Sequence, residues 1–140
     1  MPYLTKQFKF CAAHKYWNDE WDYEKNYQVF GDDVKVHGHN YILDITIIGE
    51  INPDSGFVCD IEEVKSIVYE NVIKILDHSQ IEKDIKWFDG KQPSTENLVL
   101  FIWEKISPKI KKPAKLYKIK LRETPTIFTE YFGPNLNGNK

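Results

Sequence analysis

Apolar and polar residues alternate one for one near the start of this chain, where Phe8, Phe10 and Ala12 are interleaved with Gln7, Lys9 and Cys11. A period of two predicts an extended strand with one buried face. The pattern returns from about His37 to Ile51, with Tyr41, Leu43, Ile45 and Ile47 on one parity. Between the two runs, the polar stretch from Asn18 to Gly31 carries Trp21, Tyr23 and Tyr27 and reads as a long loop or lid. Asn52-Pro53-Asp54-Ser55-Gly56 is a turn by its chemistry.

Helical periodicity follows. Ile61, Val64, Ile67, Val68, Val72 and Ile75 would form one apolar stripe. Beyond Gly90 and Pro93, Ser94 or Thr95 can cap a second helix with the stripe Leu98, Phe101, Ile102 and Ile106, closed by Pro108 and Pro113. In the last third, Tyr117, Ile119 and Leu121 alternate with Lys118, Lys120 and Arg122, Thr124-Pro125-Thr126 turns, and Ile127 to Phe132 returns. This order predicts an α+β fold, a four-stranded antiparallel sheet with two helices inserted between two β-hairpins. No linker or repeat interrupts the 140 residues, so 1–140 reads as a single domain.

Composition removes several function classes. A net charge of −2 argues against a nucleic-acid partner held by bulk charge, and Lys109, Lys111, Lys112, Lys115, Lys118 and Lys120 read as a solvated face. No apolar run reaches the roughly 18–20 residues of a membrane span, and MPYLTKQFKF lacks the apolar stretch of a secretory signal. Cys11 and Cys59 are too few for a disulfide framework, which makes a reducing, cytoplasmic setting the expectation.

Three of the four histidines fall where parity is informative. His37 and His39 project from one face of the second strand, and His14 shares the parity of Phe8, Phe10 and Ala12 on the first. If these strands pair antiparallel, the three imidazoles meet at one end. Three neutral imidazoles with an open fourth position suit a catalytic zinc site, whereas any one of them alone reads as a core or strand-entry residue. The fourth, His78, follows Asp77 at the end of the first helix. It reads either as a favourable contact with the helix dipole or as a proton carrier beside a carboxylate. Glu123 continues the parity of Tyr117, Ile119 and Leu121, which points a carboxylate toward the apolar side. A buried carboxylate needs a partner, either an internal cation or the N–H edge of a guanidine-like ligand.

Taken in order, Phe10-Cys-Ala-Ala-His14, His37-Gly-His-Asn-Tyr41, Leu76-Asp-His78, Ser94-Thr-Glu-Asn97 and Arg122-Glu-Thr124 resemble the 6-pyruvoyltetrahydropterin and 6-carboxytetrahydropterin synthase family, from about Tyr3 to Gly133. The resemblance implies a tunnelling fold, in which subunits join their sheets into a trimeric β-barrel and two trimers stack as a homohexamer. It implies Zn2+ on His14, His37 and His39, a reduced pterin anchored by Glu123 near Thr95 and Glu96, and Asp77 and His78 as a catalytic pair that reaches a neighbouring subunit's site. The implied substrate is 7,8-dihydroneopterin triphosphate, and the implied products are 6-pyruvoyl or 6-carboxy pterins on biopterin or queuosine routes.

One departure concerns chemistry. The family places a catalytic cysteine shortly before His-Gly-His, often four residues ahead; here that position holds Asp33. Asp33, with Asp32 as its neighbour, becomes the candidate base, although an aspartate with a pKa of about 3.9 needs a dry site to work well near neutral pH. The alternative is a solvated turn after Gly31. Some relatives carry glutamate instead of the cysteine and release 6-hydroxymethyl-dihydropterin for folate synthesis; with a shorter aspartate here, that release is the alternative expected activity. A zinc-containing pterin- or purine-binding protein without catalysis is the expectation from another class.

Overall fold

The computed structural model describes residues 1–135. Strand β1 (Tyr3–His14) pairs antiparallel with β2 (His37–Ile48) along its whole length, from Tyr3 opposite Ile48 to His14 opposite His37. The segment between them is more ordered than the lid that its composition suggests. Asp22 caps a helix, α1 (Tyr23–Phe30), and Gly31–Val34 forms a 3-10 turn. Buried Asn26 gathers this segment, its Nδ2 donating to the carbonyls of Asn18, Trp21 and Asp22 while its Oδ1 accepts from Asn18 N–H.

Helix α2 (Ile61–Val68), capped by Asp60, runs through a π-helical turn (Tyr69–Ile73) into a final turn, α3 (Lys74–Leu76). The wider π turn advances the helical face. Val64, Val68, Val72, Ile73 and Leu76 are buried, and Ile75, expected in the apolar stripe, is 39% exposed. The chain then adds β3 (Ser79–Gln80) parallel to β1 at Ala12 and Ala13, a short α4 (Ile81–Asp84), and α5 (Thr95–Ile106), whose cap is Ser94 rather than Thr95.

Strands β4 (Lys115–Thr124) and β5 (Ile127–Tyr131) complete a sheet of order β3-β1-β2-β4-β5. The expected four strands therefore gain a two-residue fifth. A register shift between Thr46 and Ile47 also changes the parity of β4, so that Leu116 enters the core and Tyr117 packs at a tilt against Tyr3, with ring centroids 4.5 Å apart.

The core lies between one face of the sheet and helices α2 and α5, where Phe10, Tyr41, Leu43, Ile45, Ile119 and Leu121 meet Val68, Leu98, Phe101 and Ile102. Each such buried side chain stabilises the fold by about 1.5–3 kcal/mol. The opposite face is polar, with Gln7 bonded to Asp44 and Thr5 to Thr46. Among the described residues, no helix is long and apolar enough to cross a membrane.

Candidate metal centre and active site

Antiparallel pairing brings the end of β1 to the start of β2, and three imidazoles meet there. His14 lies opposite His37, and His39 lies opposite Ala12. Each histidine offers one ligand nitrogen, and these atoms all lie within 4.8 Å of one another. The Nδ1–H of His14 donates to the Pro93 carbonyl at 2.7 Å, and that of His37 to the Lys35 carbonyl at 2.8 Å. A carbonyl can only accept, so each bond fixes the tautomer that leaves Nε2 with a free lone pair.

The Nε2 atoms of His14 and His39 are buried without a hydrogen-bond partner. Leaving such atoms unpaired is costly in a folded protein, and a metal ion would satisfy them. Burial is the main cause that pushes His14 down to about 4, with neighbouring His37 and His39 adding to the shift and the Pro93 carbonyl opposing it. Burial also lowers His39. Both rings are therefore held in the neutral form that a metal needs.

Two carboxylates flank the cluster. Glu123 Oε1 lies 3.6 Å from His39 Nε2, and Asp33 Oδ1 lies 3.6 Å from His37 Nε2. Glu123 falls where the β4–β5 register shifts between Arg122 and Thr124, and such a bulge re-aims a side chain. Its side chain is 13% exposed, and burial, reinforced by Asp33 and Glu96, raises its pKa against the opposing pull of His37. Its partner in the chain is thus a histidine, not the internal Lys or Arg weighed from sequence. Asp33 sits in the 3-10 turn and is 56% exposed, while neighbouring Asp32 accepts from the Tyr27 hydroxyl. Of the two aspartates, Asp33 is the one beside a histidine of the cluster.

Thr95 is buried at the start of α5, bonded to Thr129 at 2.8 Å and donating to Glu96 at 3.1 Å. The Glu96 charge reaches both Glu123 and Tyr16. Tyr16, which no motif indicated, packs against His14, and burial with the surrounding carboxylates raises its phenol pKa.

Asp77 and His78 stand elsewhere. Asp77 Oδ1 accepts the Cys11 N–H at 2.9 Å, Oδ2 lies 3.0 Å from His78 Nδ1, and the His78 N–H donates to the Cys11 carbonyl. The Cys11 N–H is the first cause, and His78 a further one, that holds Asp77 below the usual carboxylate range. The pair makes no hydrogen bond or ion pair with the three histidines among the described residues. His78 is 81% exposed and lines a cleft of about 360 Å³ with Cys11 and Asn40. Its φ of 64° is unusual for a residue with a side chain. Neither cysteine lies at the position before His37; both thiols are free, and Cys11 bonds Asn40 on the far face of the sheet.

The family model described as 6-pyruvoyl tetrahydropterin synthase matches residues 3–134. The chain belongs to that family. It is 37% identical to 6-pyruvoyl tetrahydrobiopterin synthase of Drosophila melanogaster over 97% of this chain and 83% of the relative. It is 32% identical to dihydroneopterin monophosphate aldolase of Pyrococcus furiosus over 81% of this chain and 82% of that protein. The solved 6-pyruvoyl tetrahydropterin synthase of Caenorhabditis elegans superposes with a TM-score of 0.86 at 30% identity, covering 96% of this chain and 98% of its own. The architecture is therefore the family's tunnelling fold, and the family is one of pterin-processing, lyase-type enzymes.

Proposed function

We propose that this protein is a zinc-dependent lyase that converts 7,8-dihydroneopterin triphosphate, or a close reduced pterin, into a 6-substituted pterin. The observation that carries the reading is the three-histidine cluster, with unpartnered buried Nε2 atoms on His14 and His39, flanked by Glu123. His14, His37 and His39 would hold the ion, which when bound supplies Lewis-acid acidification of side-chain hydroxyls.

The remaining work falls to the chain itself. The Glu123 carboxylate would accept the N–H donors of the pterin edge in a charge-assisted pair that orients the ring. Thr95, bonded to Thr129, and Glu96 would line the same end from the first turn of α5. Asp33, 3.6 Å from His37, would take a proton from the substrate side chain. Its exposure means that this chain alone does not dry it, so a slower enzyme than the cysteine relatives is expected. Asp77 and His78 form an oriented carboxylate–imidazole pair turned outward, suited to serving a neighbouring subunit's site.

That outward placement supports assembly. β5 is a sheet edge with exposed Ile127 and Phe128, and β3 covers β1 only at Ala12 and Ala13. Open edges invite pairing, and a barrel trimer stacked into a homohexamer would close them. A monomer at micromolar concentration in light scattering would contradict this assembly.

Asp33 in place of the thiol favours a second reading, in which the side chain is cleaved to leave 6-hydroxymethyl-dihydropterin, as an aldolase would do. Mass spectrometry of products after incubation with dihydroneopterin triphosphate distinguishes a 6-pyruvoyl, 6-carboxy or 6-hydroxymethyl pterin. No conversion by zinc-loaded protein would favour a binding protein instead.

A further inference from the structure

Two residues beyond His14, the chain places a tyrosine that the roles above leave unused. The half-buried Tyr16 ring lies against His14, with centroids 5.0 Å apart, and against Phe30 at 5.6 Å, with His37 at 6.4 Å. Its backbone N–H donates to the Asp33 carbonyl at 2.9 Å. Ring and main chain are thus both fixed, one by aromatic packing and the other by the turn that carries Asp33.

The phenol sits within the electrostatic reach of Glu123, Asp33 and Glu96, yet it makes no hydrogen bond with them among the described residues. A tyrosine hydroxyl in a partly buried site usually finds a partner. The buried, unpartnered Nε2 atoms of His14 and His39 belong to the cluster beside it. The Tyr16 ring therefore adjoins the cluster through His14 and His37, and among the described residues its hydroxyl has no hydrogen-bond partner.

Resting on the pterin reading above, we propose that the Tyr16 hydroxyl donates a hydrogen bond to an oxygen of the pterin's C6 side chain, positions that side chain at the three-histidine cluster, and thereby selects pterins with an oxygenated side chain. The division of labour follows from what each neighbour can offer. Ionised Asp33, Glu96 and Glu123 only accept, which suits the N–H edge of a pterin and not the lone pairs of a side-chain oxygen. Two phenol rings adjoin His14, and Tyr41 is fully buried with its hydroxyl 3.5 Å from His14 Nδ1, while the Thr95 hydroxyl already donates to Glu96. Of the two phenols against His14, Tyr16 is the one that is not fully buried. It is a positioning residue; no bond of the substrate forms or breaks on it.

Tyr16→Phe removes the hydroxyl and retains the ring contacts and the backbone bond to Asp33. Zinc-loaded wild type and variant are titrated calorimetrically with 7,8-dihydroneopterin, which carries a trihydroxypropyl side chain, and with 7,8-dihydropterin, which carries none. The variant should lose roughly three- to ten-fold in affinity for dihydroneopterin, the worth of one neutral hydrogen bond. Its affinity for dihydropterin and its zinc content should stay unchanged. An equal loss for both pterins, or no loss for either, overturns the role of Tyr16 while leaving the pterin reading standing. If wild type binds neither pterin, the pterin reading falls and the Tyr16 proposal with it.

Discussion

Glu123 reaches His39, 3.6 Å from carboxylate oxygen to Nε2, through the irregularity that separates Arg122 from Thr124 in the pairing of β4 with β5. Once Nε2 gives its lone pair to a metal, that nitrogen has no proton for Glu123, and the carboxylate is free to take the N–H donors of a ligand. Glu123→Gln exchanges one acceptor for a donor. Pterin affinity measured by calorimetry should fall about 10- to 100-fold, in line with a charged hydrogen bond of roughly 1.5–3 kcal/mol, and zinc should remain bound. Unchanged affinity would remove Glu123 from the site.

The buried histidine gives the metal-free protein a pH signature. His14 is held down to about 4, chiefly by burial, whereas an unfolded imidazole titrates near 6.5. Between those values the unfolded chain binds a proton that the folded chain does not, so stability rises with pH across that window. His14's contribution is fully present above about pH 6.5 and is lost as pH falls toward 4, by on the order of 3 kcal/mol. Urea midpoints of chelator-treated protein should show this slope, and His14→Asn should flatten it. A metal-free wild type equally stable at pH 7 and pH 4.5 would contradict the burial.

His78 combines a positive φ with wide exposure, a geometry that glycine adopts more easily. His78→Gly should leave stability within about 1 kcal/mol of wild type, relief of strain offsetting the more flexible unfolded chain. His78→Val, β-branched at the same φ, should destabilise by about 1–2 kcal/mol. Turnover should fall about 100-fold or more in both if the imidazole carries a proton. Thermal unfolding set beside steady-state rates separates the two effects, and full activity in His78→Gly would exclude the catalytic role.

For Asp33, the decisive comparison is of products rather than rates alone. Asp33→Asn should reduce turnover by about 100-fold or more if the carboxylate takes the proton. Asp33→Cys should shift the product toward the pyruvoyl or carboxy pterin. Full turnover and the same product in Asp33→Asn would return this residue to a solvated turn.

Much of the fold was legible because strand parity survives local error. The pairing of β1 with β2 is unbroken from Tyr3 opposite Ile48 to His14 opposite His37, so the parities of His14, His37 and His39, read on the condition of antiparallel pairing, meet at one end of the sheet. Parity on β4 was less secure. It depended on Tyr117, which the register shift turns out of the core, and Glu123 follows Ile119 and Leu121 at the irregularity between Arg122 and Thr124, with its carboxylate 3.6 Å from His39. The π turn after Val68 was invisible, since a one-residue change of face is decided by packing. Helix α1 was hidden because it buries only Asn26 and so leaves no apolar stripe. Tyr16 lies in a stretch without periodicity, and only folding places it beside His14.

Zinc content tests the metal assignment most directly. Elemental analysis of purified wild type should give one zinc per chain, and His37→Ala should lose that metal while keeping its fold by circular dichroism, because His37 sits at the open end of β2 and outside the apolar core. A folded His37→Ala protein with full zinc occupancy would contradict the assignment of the ion to His14, His37 and His39.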